Sequence, residues 1–169
     1  MRDNYSADGR EIHEECGVFG VYGVANASNY AYYALHSLQH RGQQGCGIVT
    51  TGDGKNLKIV KGAGLVHEIF NGENLSALNG NIAIGHVRYP TTNIGGMENI
   101  QPFLFRHNTG DFAIAHNGNI VNAEELRAYL EKRGSLFQTT SDSELFAHLI
   151  KKDSRESDRI YHIKEALNM

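Results

Sequence analysis

The chain has 169 residues, which is enough for one hydrophobic core and too short for two ordinary domains. Hydrophobic residues make up 40% and charged residues 21%, a mix typical of globular proteins. A net charge of −3 supplies no basic surface for nucleic acid. No apolar run approaches the roughly 20 residues of a membrane-spanning helix, and residues 1–15 are too polar for a secretion signal. We therefore expect a cytoplasmic protein that binds neither nucleic acid nor membrane.

The predicted elements are strands in hairpins and helices in blocks, assigned from hydrophobic periods of two and 3.6 residues. Strands are predicted at 16–24, 46–51, 57–61, 81–87, 101–106 and 111–116. Helices are predicted from a cap at Ser28 to Gly42, as one or two short segments within 64–79, from Asn122 to Gly134, from Ser141 onward, and near 158–168. This order indicates an α+β layered fold rather than alternating βαβ units.

Two predicted helices begin with the spacing of a capping box, in which a polar side chain and an acidic one satisfy the first N–H groups. One pair is Asn122 with Glu125, and the other is Ser141 with Glu144. The last helical pattern, near 158–168, reaches the end of the sequence without a cap. From this we expect the sequence to be a fragment of a longer protein.

Cys16 and Cys46 are the only cysteines, and without a secretion signal we expect both to be reduced thiols. Cys46 is interpreted as a packing residue. His36 and His40 are four residues apart on a predicted helix and could share a face. No third ligand follows at a spacing familiar from zinc sites, so no metal site is predicted.

Several polar residues follow predicted strands or begin a predicted helix. Arg88 could bind a carboxylate with two parallel hydrogen bonds. Asn117 and Gly118 offer a side-chain N–H and an unobstructed backbone N–H, the donors that an oxyanion hole requires. Asp142 falls in the first turn of a predicted helix, where the helix dipole stabilises a carboxylate. Taken alone, each residue also has an ordinary explanation: a surface ion pair, which is favoured for Arg88, a turn, which is favoured for Asn117 and Gly118, and the helix dipole, which is sufficient for Asp142.

Five motifs occur in a fixed order along the chain. They are Cys-Gly-Val-Phe-Gly at 16–20, Leu-Gln-His-Arg-Gly-Gln at 38–43, Gly-His-Val-Arg-Tyr at 85–89, His-Asn-Gly-Asn at 116–119 and Thr-Ser-Asp-Ser-Glu at 140–144. Together they resemble the N-terminal-nucleophile (Ntn) glutaminase domain of class-II glutamine amidotransferases, and most of all the amidophosphoribosyltransferase family. The resemblance covers residues 14–169 and implies a four-layer αββα sandwich, here truncated at its C-terminus.

The resemblance implies a role for each matching residue. Cys16 would become the first residue when a propeptide, residues 1–15, is removed by self-cleavage, and would then attack the side-chain amide of glutamine. A free α-amine, with an ordinary pKa of about 7.7–8.0, can serve as the base for a thiol of the same residue. The other roles are an oxyanion hole from Asn117 and Gly118, α-carboxylate binding by Arg88, α-ammonium binding by Asp142, a polar contact from Thr91 and bracing of the site by Arg41.

The resemblance also implies partners outside this sequence. In the family, a second, phosphoribosyltransferase domain uses the ammonia, phosphoribosylpyrophosphate (PRPP) and Mg²⁺ to make phosphoribosylamine, the first step of purine (IMP) synthesis. Some members also carry a 4Fe-4S cluster. Residues 16–169 match only the glutaminase domain, and incompletely, so PRPP, Mg²⁺ and any cluster would bind elsewhere. A homo-oligomer is expected for the full-length protein.

Three alternatives stay within the same superfamily: glucosamine-6-phosphate synthase, asparagine synthetase and glutamate synthase. The first two usually begin at Met-Cys without a leader, and the third has a much larger glutaminase domain. An alternative from another class is a non-catalytic, glutamine-binding module from which residues 1–15 are never removed.

Overall fold

The computed structural model describes residues 16–53, 56–89, 96–108, 110–151 and 159–169. The strands are β1 (Gly17–Tyr22), β2 (Gly45–Thr51), β3 (Lys58–Ala63), β4 (Ile82–Arg88), β5 (Phe103–Phe105) and β6 (Phe112–Ile114). The helices are α1 (Ala27–Ser37), α2 (Val66–Ile69), α3 (Gly72–Ala77), α4 (Ala123–Glu131), α5 (Glu144–Lys151) and α6 (Arg159–Leu167). Short 3₁₀ helices lie at Gln39–Arg41 and Met97–Asn99. Within these ranges no helix combines the length and hydrophobicity needed to cross a membrane.

Two antiparallel sheets form the centre of the protein. The larger has the strand order β1-β4-β2-β3, and the smaller is the hairpin of β5 and β6. In the larger sheet Gly17 pairs with Val87, and Gly45 pairs with Arg88. The ends of β1, β2 and β4 that carry the motif residues therefore lie side by side at one edge of the molecule.

Helix α1 covers one face of the larger sheet, where its Leu35 packs so closely that a Cβ on Gly85 would lie 2.9 Å from Leu35 Cδ1. The opposite face meets the segment that leads into β5, because a Cβ on Gly47 would lie 2.5 Å from the carbonyl oxygen of Gln101. A side chain at either glycine would push the layers apart, which is why these positions carry none. The two faces of the sheet are thus covered by a helix and by a second sheet.

Helices α4, α5 and α6 form the fourth layer with their own apolar cluster, whose buried members are Leu130, Leu145, Leu149 and Ala166. Helix α5 contacts the segment after β6, where the His116 ring meets the Phe146 ring edge-on at 5.4 Å. The order helix, sheet, sheet, helix confirms the predicted α+β fold with its αββα layers.

The predicted helix caps differ from those in the structure. Ser28 lies inside α1, after the N-cap residue Asn26, and its hydroxyl donates to the carbonyl of Leu75. Asn122 does precede α4, but its side chain makes no cap bond and donates to the carbonyl of Met169. Helix α1 also ends at Ser37 rather than at Gly42. At Ser28 and Asn122 a long-range partner competes successfully with the local cap.

The predicted capping box of Ser141 and Glu144 is wrong for Glu144, whose carboxylate bonds to the preceding loop. Glu144 is 1% exposed, and its carboxylate accepts hydrogen bonds from the backbone N–H groups of Gln138 and Thr139. The Thr139 hydroxyl donates a further bond at 2.8 Å. A buried carboxylate needs several donors, and the preceding loop offers more of them than the N-terminus of α5 does.

Candidate active site

Cys16 lies directly before β1, at the edge where the motif residues meet. Its carbonyl oxygen accepts a hydrogen bond from Asn117 Nδ2 and another, at 3.3 Å, from Arg41 Nε. Its Sγ lies 3.3 Å from the backbone nitrogen of Tyr89. The structure therefore brings together three predicted site residues, Cys16, Arg41 and Asn117. It adds Tyr89, a motif residue for which the sequence predicted no role in the site.

Asn117 and Gly118 are exposed in the loop after β6. The Asn117 amide nitrogen carries two N–H groups, so one can reach the Cys16 carbonyl while the other meets a substrate oxygen. A Cβ on Gly118 would lie 2.7 Å from Nε2 of His116. The His116 ring is itself held by Ser143 Oγ, 3.0 Å from Nδ1. A side chain at position 118 would therefore collide with the His116 ring, which accounts for the glycine at this position.

Arg88 is the last residue of β4, and neighbouring residues hold its guanidinium on two sides. Nε donates to Gln44 Oε1 at 2.7 Å, and Nη1 donates to the carbonyl of Asn99 at 2.9 Å. The backbone N–H of Gln44 donates in turn to the Arg88 carbonyl at 3.0 Å. Such a guanidinium has a fixed orientation, as recognition of a carboxylate by two parallel bonds requires.

Asp142 lies two residues before α5 rather than within its first turn. Its Oδ2 accepts from the backbone N–H of Ile120 at 2.8 Å, and its Oδ1 accepts from Ser143 Oγ at 3.3 Å. Asp142 thus ties the loop of Asn117 to the start of α5. Thr91 and residues 1–15, the predicted propeptide, lie outside the described residues.

Gln101 is a buried residue of the site for which the sequence gave no functional prediction. Its Oε1 accepts from the backbone N–H of His116 at 2.7 Å, and its Nε2 donates to the His116 carbonyl at 3.3 Å. The same amide nitrogen lies 3.4 Å from Ser143 Oγ. The only signal was a polar residue within the predicted strand 101–106, which does not reveal a partner far along the chain.

Among the described residues, no three His, Cys, Asp or Glu side chains lie together as metal ligands would. Neither cysteine forms a disulfide, and Cys46 is buried in the core. Burial, with a smaller effect of the Glu68 carboxylate, raises the pKa of Cys46 to about 12, whereas a thiol must ionise to bind iron. Neither Mg²⁺ nor a 4Fe-4S cluster therefore fits the residues that the structure describes.

His86 is buried between the sheets, 1% exposed, and neither ring nitrogen has a hydrogen-bond partner of good geometry among the described residues. Burial, together with a smaller effect of the Arg88 guanidinium, lowers the pKa of His86 to about 4, and the His116 backbone opposes this only in part. A histidine that is neutral and buried makes the folded state sensitive to acid, because the unfolded state binds the proton more readily.

We expect the free energy of unfolding to fall as the pH drops from 6.5 towards 4. The difference between a pKa of 6.5 and one of about 4 corresponds to a loss of about 3 kcal/mol. His86→Leu should remove most of this pH dependence, whereas His67→Leu, at an exposed position, should retain it. Urea unfolding followed by circular dichroism between pH 4.5 and 7.5 measures both, and equal slopes for the two variants would contradict the assignment.

Comparison with known proteins finds glutamine amidotransferases. The family model described as a glutamine amidotransferase domain matches residues 86–167. The amidophosphoribosyltransferase of Bacillus subtilis is 52% identical over 164 residues, covering 96% of this chain and 34% of that protein. The amidophosphoribosyltransferase of Methanocaldococcus jannaschii is 48% identical over 132 residues, covering 78% of this chain and 28% of that protein.

Solved structures give the same result. Glutamine PRPP amidotransferase from B. subtilis, complexed with ADP and GMP, superposes with a TM-score of 0.82 at 52% identity, covering 90% of this chain and 32% of the other. The structure described as the allosteric regulatory enzyme of purine biosynthesis superposes with a TM-score of 0.84 at 53% identity, again over 90% and 32% of the two chains. The chain thus spans about a third of the length of these relatives. It contains a glutamine amidotransferase domain of the type found in the amidophosphoribosyltransferases.

Proposed function

We propose that this chain hydrolyses the side-chain amide of glutamine with Cys16 as nucleophile. The ammonia is used to form phosphoribosylamine from PRPP, the first step of de novo purine synthesis. The observation that carries the proposal is the convergence on Cys16 of Arg41, Tyr89 and Asn117, which come from three separate segments. The similarity to amidophosphoribosyltransferases supports it.

The chemistry follows from a nucleophile and a base on one residue. The free α-amine of Cys16 takes the thiol proton, and Sγ attacks the amide carbon of glutamine. Asn117 Nδ2 and the Gly118 N–H stabilise the resulting oxyanion. The intermediate expels ammonia, which takes the proton from the α-ammonium group, and leaves a glutamyl thioester. Water then attacks the thioester, the amine again accepts a proton, and glutamate is released as the thiol is restored.

Recognition of glutamine depends on charges at its α-carbon. Arg88 binds the α-carboxylate, Asp142 binds the α-ammonium group, and Thr91 adds a polar contact. A carboxylate has about four lone-pair sites, so Asp142 can bind an ammonium group while it accepts from Ile120. Arg41 braces the nucleophile through the Cys16 carbonyl. A simple amide lacks both charges and is therefore selected against.

The remaining parts of the reaction belong to residues outside this sequence. A phosphoribosyltransferase domain binds PRPP and Mg²⁺ and receives the ammonia. A 4Fe-4S cluster, where present, lies in that part as well. We place the protein in the cytoplasm, as a homo-oligomer, with the leader 1–15 removed from the mature form.

The test is the N-terminus and the activity of the natural protein that contains this sequence. N-terminal sequencing should begin at Cys16, and the purified protein should release ammonia from glutamine and transfer it to PRPP. An intact Met1 together with glutamine binding but no hydrolysis would support the unprocessed module. Hydrolysis without transfer to PRPP would indicate another class-II amidotransferase.

A further inference from the structure

We propose that Asn99 is a positioning residue that determines substrate specificity. It holds Arg88 and the segment of Asp142 at the separation that the carboxylate and the ammonium group of one amino acid require. This inference rests on the proposed function, in which those two residues bind the carboxylate and the ammonium group of glutamine. Asn99 belongs to none of the five sequence motifs, and in this role it touches no substrate.

Asn99 ends the 3₁₀ helix at Met97–Asn99 and is 1% exposed. Its backbone carbonyl accepts from Arg88 Nη1 at 2.9 Å. Its side-chain amide pairs with Thr140 in both directions: Nδ2 donates to Thr140 Oγ1 at 2.6 Å, and Oδ1 accepts from the Thr140 N–H at 3.1 Å. One buried residue is therefore bonded to both sides of the proposed glutamine site.

The segment on the far side is held firmly enough to transmit this position to Asp142. Arg127 Nη2 donates to the carbonyl of Thr139 at 3.1 Å and to that of Ser141 at 3.4 Å. The Thr139 hydroxyl also accepts from the Ser141 N–H at 3.1 Å. A shift of Thr140 would therefore carry Asp142, two residues later, along with it.

The spacing matters because the carboxylate and the ammonium group of an amino acid are attached to the same carbon. A ligand with both charges gains from both contacts only when Arg88 and Asp142 are correctly placed at the same time. A ligand with one charge is indifferent to their separation. Removing the contacts of the Asn99 side chain should therefore weaken the binding of glutamine more than the binding of an analogue without the α-amine.

Glutaric acid monoamide, which keeps the reactive amide and the carboxylate but lacks the α-amine, provides that comparison. For the natural protein, kcat/KM for glutamine should exceed that for the analogue. In Asn99→Ala we expect this ratio to fall about 10- to 100-fold, chiefly through KM for glutamine. Thr140→Val should lower the ratio similarly, whereas Thr140→Ser, which keeps the hydroxyl, should preserve it.

Asn74→Ala is the matched control. The Asn74 side chain also bonds in both directions, donating to the Ile69 carbonyl at 2.7 Å and accepting from the Asn71 N–H at 2.9 Å. It lies in α3, which contributes no residue to the candidate site. This variant should lose stability without a change in the ratio, so it separates general loosening from the specific effect.

Two results would overturn the inference and are distinguishable. An unchanged ratio in folded Asn99→Ala and Thr140→Val would refute the role of Asn99 and leave the glutaminase proposal intact. Natural protein that releases no ammonia from glutamine would refute both. Circular dichroism of each variant establishes folding. Asn99→Ala and Thr140→Val break the same contact from its two ends, so either one decides the test if the other fails to fold.

Discussion

Replacing Cys16 with alanine should abolish the release of ammonia from glutamine, lowering kcat by more than about 10⁴-fold. The residue supplies both the nucleophile and, through its α-amine, the base. The contacts of Arg41 and Asn117 are with the Cys16 carbonyl oxygen and do not depend on the sulfur. The fold should therefore survive while the chemistry is lost. Coupled detection of ammonia and glutamate in natural protein and variant measures the difference.

Cys46→Ala is the control for this experiment, because Cys46 is buried in the core and its pKa of about 12 keeps it protonated. It should retain activity. Diazo-oxo-norleucine, a reactive analogue of glutamine, should add to Cys16 in the natural protein, as mass spectrometry of the peptides would show. Labelling at Cys46, or undiminished turnover in Cys16→Ala, would refute the assignment of the nucleophile.

Asn117→Asp should lower kcat by about 10²- to 10³-fold, the usual effect of losing one donor of an oxyanion hole. Aspartate has nearly the same shape but no N–H, so it can neither stabilise the oxyanion nor donate to the Cys16 carbonyl. KM for glutamine should change little, because Asn117 is not among the groups proposed to bind the α-carbon charges. Steady-state kinetics separates the two parameters.

Asn119→Asp serves as the control, because Asn119 is exposed in the same loop and its substitution adds the same negative charge. It should leave kcat within a few-fold of that of the natural protein. A large rise in KM with unchanged kcat for Asn117→Asp would assign Asn117 to substrate binding instead of transition-state stabilisation.

The periodic patterns predicted the elements well because burial follows them directly. In β1 the alternation places Phe19 and Val21 against the core, while Val18, on the other face, is 40% exposed. The caps were less predictable. Asn122 and Glu144 have the right spacing for local boxes, but their partners, Met169 and the loop at 138–139, are set by tertiary packing.

The candidate site shows the same difference between residues that local motifs predict and residues that act through tertiary contacts. Cys16, Arg41 and Asn117 were predicted from short motifs, and the structure brings these three together. Gln101 and Asn99 were not predicted, because each acts by bonding segments far apart in the chain. A single buried amide carries no local pattern that names its partner, so such supporting residues emerge only from the folded structure.

The position of Cys16 relative to the sheet has a consequence for maturation. Strand β1 is an outer strand, and its first pairing with β4 is that of Gly17 with Val87. Among the described residues, the peptide bond on the amino side of Cys16 therefore precedes every residue pair between β1 and β4. Scission there would leave this pairing intact, and the newly freed amine would lie at the edge of a sheet that is already assembled.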